Sequence, residues 1–249
     1  MKTSFSSFTV HTIEGYISSI YLVEYDDGML LMDSGCVNDV KRIEDYCKQV
    51  VNRPLGDIKL IVVSHMHPDH AGGAGALRSK YGIAIAAHKD VDLWYSGLGG
   101  LLQHKLDCYM AMGVAQKNKR KREHMLFYPI IHPDFLLDDL QALPFFEDWG
   151  ALHTPGHTMH DIVLYHQKEA LLYIADMICD VKGKMLLPLP VLAPPQIENS
   201  YDKLASLNSS TLLMAHGGVK QMEDTSALFL SMKEQLKRPP NPIMRKVYR

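Results

Sequence analysis

His65-Met-His-Pro-Asp-His70 places three imidazoles and one carboxylate in six consecutive positions. His65 and His67 are two apart, so on extended or loosely turned backbone both rings can face the same way. Asp69 and His70 are adjacent and can serve a second centre beside the first. Imidazole nitrogen with carboxylate oxygen suits Zn²⁺, Fe or Mn²⁺ and suits Ca²⁺ poorly. Just upstream, Lys59-Leu-Ile-Val-Val-Ser64 is apolar and β-branched, the pattern of a buried strand. Just downstream, residues 71–82 (AGGAGALRSKYG) read as a glycine-eased turn into a short helix. The cluster therefore belongs on a loop at the C-terminal end of a strand, where α/β sheets commonly carry their chemistry.

Working outward, Tyr16 to Tyr25 and Met29 to Met32 read as two strands joined by the Asp26-Asp27-Gly28 turn. Val37, Val40, Ile43, Cys47, Val50 and Val51 recur at helical spacing, and Pro54 and Gly56 close that helix. Residues 82–87 form another short apolar strand. Residues 89–127 differ: a Met-rich apolar pattern at helical spacing, interrupted by Gly97, Gly99 and Gly100, leads into a basic run from Lys117 to Arg122. We read this stretch as a helical insertion, a packed helix pair, with a roof over a pocket or a pairing surface for two chains as the functional alternative. Strands resume at Pro129 to Phe135, Trp149 to His153, Ile162 to His166, Leu171 to Ala175 and Thr211 to Ala215. Helices are expected at Tyr201 to Leu207 and Asp224 to Lys237, with an extended tail from Pro239. The whole chain, 1–249, reads as a single domain of α/β class.

Composition narrows the function classes. With 249 residues, 47% hydrophobic and 22% charged, the chain can bury a sizeable core. A net charge of −2 gives no global basic field for nucleic acid. No apolar run approaches the ~18–20 residues of a membrane span, so no membrane partner is expected. The N-terminus lacks the apolar core of a secretory signal, and Cys36, Cys47, Cys108 and Cys179 lack CxxC spacing. Both features point to the cytoplasm and to cysteines that act as small buried hydrophobes.

A two-ion site needs more ligands than the hexapeptide holds. Three later strand ends supply them: His157 after the Pro-Gly turn of residues 154–158 (TPGHT), Asp176 in IADM, and His216 in MAHGG. With Asp33 in LMDSG and the HxHxDH box at 65–70, these elements resemble the metallo-β-lactamase fold superfamily of metal-dependent hydrolases, in the family's order across residues 16 to about 220.

The resemblance implies an αβ/βα sandwich of two mixed β-sheets flanked by helices. It implies two divalent metal ions, zinc first, with iron or manganese as alternatives. His65, His67 and His157 would hold one, and Asp69, His70 and His216 the other. Asp176 and a hydroxide would bridge them. Asp69 would be the catalytic carboxylate, orienting the bridging water or taking its proton. Asp33 would support the 65–70 loop from behind. The retained Asp176 and the missing secretion signal argue against a true β-lactamase. Only 33 residues follow His216, too few for the glutathione-binding region of the glyoxalase II branch. Where many acyl-homoserine lactonases carry a tyrosine, this chain has Met177, Ile178 and Cys179.

The leading expectation is hydrolysis of a small ester, thioester or lactone with an apolar part. A phosphodiesterase using the basic run is the alternative, and a metal-bearing regulatory protein is a third. The remaining histidines are expected to be structural, His153 through a hydrogen bond. His160 is the one that could edge a pocket.

Overall fold

Seven strands supply the first sheet: β1 (Lys2–Ser4), β2 (Thr9–Glu14), β3 (Ser19–Tyr25), β4 (Gly28–Met32), β5 (Ile58–Val63), β6 (Ala84–His88) and β7 (Phe135–Leu137). They lie in chain order across the sheet. The first three pairings are antiparallel and the last three parallel, so the sheet is mixed. Every residue of β4 is buried, as are four in a row of β5. A strand covered on both faces needs a continuous apolar run rather than alternation, which is what residues 60–63 provide. The structure, a computed structural model, describes residues 1–237; the tail from Pro239 lies outside the described residues.

The second sheet uses β8 (Gln141–Leu143), β9 (Phe146–His153), β10 (Ile162–His166), β11 (Leu171–Ala175), β14 (Thr211–Met214) and β15 (Gly218–Gln221), in the order β15-β14-β11-β10-β9-β8. The β11–β14 pair is parallel, while β9–β10, β10–β11 and β14–β15 are antiparallel. A separate hairpin joins β12 (Cys179–Val181) to β13 (Lys184–Leu186). The fold is thus two mixed sheets flanked by helices: α1 (Val40–Tyr46), α2 (Pro68–Ala71), α3 (Ala74–Tyr81), α4 (Gly97–Lys117), α5 (Pro194–Ala205) and α6 (Ser226–Lys237). Among the described residues no helix is long and apolar enough to cross a membrane.

The described residues divide into two compact units, 1–138 with 143–147, and 139–142 with 148–237. In the first, Ile20, Leu22, Leu31, Ile61, Val63 and Ile85 of the sheet form one core with Ile43 of α1 and Leu77 of α3. In the second, Leu152, Val163, Leu172 and Ile174 pack with Ile197 and Tyr201 of α5 and Phe229 of α6. Phe229 is fully buried, and truncating such a ring to alanine typically costs about 3–5 kcal/mol.

Several elements differ from the sequence expectation for physical reasons. The helix expected at 37–51 starts as a tight 3₁₀ turn, becomes α1, and widens into a π-turn over Cys47–Val51 that ends at left-handed Asn52. The widening rotates Val50 out of phase, and it is 44% exposed. The strand expected from Pro129 begins only at Phe135, since Pro129 and Pro133 have no N–H to give a ladder. The helix expected at 201–207 begins at Pro194, where prolines cost nothing because first-turn N–H groups have no intrahelical partner. The insertion holds one long helix rather than a pair. Its three early glycines sit in the first turn of α4 and do not break it. At Gly100 a Cβ would lie 2.1 Å from the Tyr95 carbonyl carbon, so close packing demands the glycine.

Candidate metal centre

In the first unit, the parallel neighbours β4 and β5 end side by side, and the chemistry gathers there. Asp33, just past β4, adopts a left-handed backbone (φ 58°). Asp is one of the few residues that tolerates this region. Its carboxylate is buried and accepts three hydrogen bonds: from the Ser64 N–H at 2.7 Å, from the Ser64 hydroxyl at 2.7 Å, and from His70 Nδ1 at 2.6 Å. A carboxylate at Nδ1 fixes the proton there and turns the Nε2 lone pair toward a ligand role. His70 is fully buried, and its Nε2 lies 3.8 Å from Asp69 Oδ2.

Beside it, His65 Nε2 and His67 Nδ1 are 3.0 Å apart, with the two rings nearly perpendicular. Two ligands on a tetrahedral zinc, at bonds of about 2.0–2.1 Å, are separated by about 3.3 Å. Trp94 meets the His67 ring edge-on at 5.8 Å. The backbone of the loop is pinned as well: the Ser18 hydroxyl donates to the Asp69 carbonyl, and both Ser34 N–H and Ser34 Oγ donate to the His70 carbonyl. Pro68 opens the one-turn helix α2 that carries Asp69 and His70.

In the second unit, three strand ends carry one side chain each. Asp176 follows β11, where Ile174 is an extra residue in the pairing with β14 and Ala175 has φ 43°. Such a bulge re-aims the side chain that follows it. One Asp176 oxygen faces His157 Nε2 at 3.6 Å and the other faces His216 Nε2 at 3.4 Å. This is the arrangement of a carboxylate shared between two positions. His157 is buried and its Nδ1 donates to the Pro190 carbonyl at 2.6 Å, which again leaves Nε2 as the acceptor. The turn before it depends on Gly156 at φ 144°, where a Cβ would come within 2.3 Å of Ile197 Cβ. Asp161 locks the turn, accepting from the Thr158 N–H at 2.6 Å and the Thr158 hydroxyl at 2.7 Å. Burial raises the Asp161 carboxyl above its usual range, opposed by the charge of His157 and by the Thr158 donors. Past β14, the His216 carbonyl accepts from the Asp180 N–H at 2.7 Å.

The expected ligands and Asp33 therefore lie in the segments that follow β4, β5, β9, β11 and β14, Asp69 and His70 on the short helix α2, and the His and Asp groups among them could hold metal. Ser64, Asp161 and the Pro190 carbonyl escaped the sequence reading. Ser64 directly precedes the motif and Asp161 stands three residues after Thr158, so local spacing did carry a signal for both. The Pro190 carbonyl carried none, being 33 residues from its partner. His153 Nε2 lies 3.0 Å from the Met159 carbonyl, a structural hydrogen bond. His160 is buried on the turn, its N–H donating to Thr158 Oγ1. Burial, followed by the charges of Asp69 and Asp39, raises the Cys36 thiol well above its ordinary value, so it is a packed thiol and not a nucleophile.

A family model described as the metallo-beta-lactamase superfamily matches residues 13–216. The chain belongs to that superfamily. It is 22% identical to the probable metallo-hydrolase YflN of Bacillus subtilis, over 84% of this chain and 83% of that protein. Its fold matches the metallo-beta-lactamase family protein TTHA1429 from Thermus thermophilus with a TM-score of 0.66 at 20% identity, covering 92% of this chain and 79% of the other. An archaeal superfamily member, ST1585 from Sulfolobus tokodaii, matches with a TM-score of 0.67 at 15% identity, covering 96% and 93%.

Proposed function

We propose that this metallo-hydrolase superfamily member cleaves a small ester, thioester or lactone at a centre for two divalent ions, zinc first. His65, His67, His157 and Asp176 are the proposed ligands of one ion, and Asp69, His70 and His216 those of the other. The observation that carries the reading is the shared Asp176 carboxylate, one oxygen toward each of two imidazoles. The donor chemistry fits the ions: five imidazoles and two carboxylates, with two of the rings held through Nδ1 so that Nε2 is presented. Bound there, such ions supply Lewis acidity, lowering the pKa of water and polarising the scissile carbonyl.

The chain's own residues do the rest. Asp33 and Pro190 hold the His70 and His157 rings in one tautomer and one direction. Ser18 and Ser34 anchor the backbone of Asp69 and His70, so the Asp69 carboxylate stays beside His70 Nε2. From that position it orients the attacking water and accepts its proton. A general base so placed contributes about 10²–10⁴-fold.

The test is paired turnover by metal-replete protein on a lactone and thioester panel and on bis-p-nitrophenyl phosphate. Preference for the carbonyl substrates is expected. Preference for the phosphodiester would replace this reading with the phosphodiesterase one, and full metal occupancy without turnover on either would favour a regulatory protein.

A further inference from the structure

Helix α4 buries one side and exposes an apolar other side. Its inner side carries Gly100, His104, Asp107, Cys108 and Ala115. Its outer side carries Leu98, Leu102, Leu106, Met110 and Val114 at an unbroken spacing of four, between 84% and 41% exposed. Leu101 and Tyr109 flank this ridge and are exposed too. Together these seven exposed side chains form one continuous, largely apolar face, the kind of surface that marks an interaction site. The helix contains a single acid, Asp107, which is buried and accepts a hydrogen bond from the Tyr95 hydroxyl. The outer face therefore holds no negative charge.

The ridge runs straight into Lys117, Lys119, Arg120, Lys121 and Arg122. Arg120 pairs with Glu14. Lys117, Lys119, Lys121 and Arg122 are exposed, and among the described residues no carboxylate pairs with them. An apolar helix face continuous with several unpaired cations is complementary to a surface that is apolar inside and anionic outside.

Lys105 decides between a lipid surface and a second copy of the chain. It is exposed beside Leu106, at the middle of the ridge. Two-fold pairing of this face would bring each Lys105 toward its mate and bury both ammonium groups against apolar side chains. On a lipid surface the Lys105 stem lies along acyl chains while its ammonium reaches the headgroups. The expected absence of a membrane partner rested on the lack of a spanning segment and says nothing of a helix lying along a surface.

We infer that α4 docks the protein on an anionic phospholipid surface, with the Leu98–Val114 ridge among the acyl chains and Lys117, Lys119, Lys121 and Arg122 on the headgroup phosphates. The test is co-sedimentation of the full, metal-replete chain with phosphatidylcholine vesicles, alone or containing roughly one third phosphatidylglycerol. Binding is expected on the mixed vesicles at low salt, at least about tenfold weaker on phosphatidylcholine alone or at high salt. Leu102→Glu with Leu106→Glu should weaken it at least about tenfold, and so should Gln at positions 117, 119, 121 and 122 together. All six side chains are exposed, and far-UV circular dichroism verifies folding; should the leucine variant misfold, the basic-run variant decides. Equal binding to both lipids, or wild-type binding by the basic-run variant, overturns the inference. So does a dimer by light scattering that the leucine variant splits, with no vesicle binding by either form, because a second copy then covers the ridge.

Discussion

The two sets of proposed ligands, one in each compact unit, are built on opposite plans. In the first unit, four proposed ligands fall within six residues, and a single buried carboxylate, Asp33, ties that segment to the neighbouring strand through three hydrogen bonds. In the second unit, three side chains come from three strand ends spread over 60 residues, each aimed by its own backbone device: Gly156 before His157, the bulge before Asp176, the Asp180 contact behind His216. The first set is held chiefly by side-chain hydrogen bonds, whereas the second adds main-chain shape to the Asp161 and Pro190 contacts. Substitutions should therefore act on orientation and protons in the first, and on folding in the second.

The largest effect expected from that contrast is chemical. Asp69→Asn should lower kcat by about 10³-fold while leaving the far-UV spectrum and unfolding midpoint of the apo chain unchanged. Activity near wild type would remove Asp69 from the mechanism. In the second unit, Gly156→Ala should destabilise by about 3 kcal/mol or more, through the φ of 144° and the clash with Ile197, read as a lower urea midpoint with an unchanged slope. A stable variant would show that backbone shape is not what holds His157.

The first unit also carries a titration signature. Asp39 is buried beneath the loop at Gly35, where it accepts hydrogen bonds from the Tyr16 and Cys36 N–H groups and pairs with Arg42. Burial raises its carboxyl to about 6, against the pull of those partners. A raised folded-state pKa means that the native chain binds the extra proton. Its contribution is full below the unfolded value near 4 and fades as pH rises through about 6. From pH 7 to pH 4, wild type should therefore gain up to about 3 kcal/mol relative to Asp39→Asn, measured by urea unfolding at each pH. A flat difference would mean that folding leaves the Asp39 pKa at its unfolded value. The smallest effect is expected for Asp33→Asn. It keeps a residue that tolerates the left-handed backbone but removes the charge at His70 Nδ1. Metal affinity should fall about 10–100-fold in chelator competition, with little loss of stability. An unchanged affinity would leave Asp33 a purely structural clamp.

How much was legible in the sequence follows the same division. The 65–70 loop and its strand could be read directly, because a buried β-branched run and a dense ligand motif are both local signals. The second-unit ligands stood out only as isolated strand-end residues, and the family pattern linked them. Three other features stayed hidden. The π-turn at 47–51 preserves the apolar pattern while changing its phase. The merging of α4 across Gly97, Gly99 and Gly100 depends on Tyr95 packing against Gly100. The hairpin at 179–186 is made of two three-residue strands, too short to show a period.

The bulge at Ile174 has an evolutionary consequence. Side chains on a strand alternate faces, so the facing of Asp176 is a matter of parity. Deleting one residue before it would leave β11 and β14 able to pair, yet would send the carboxylate to the opposite face of the sheet. The chain therefore tolerates changes of residue type along β11 far better than changes of length. Indels in this superfamily member should accumulate in stretches such as 89–127, where adding or losing a helical turn moves no ligand, and be excluded from the five residues of β11.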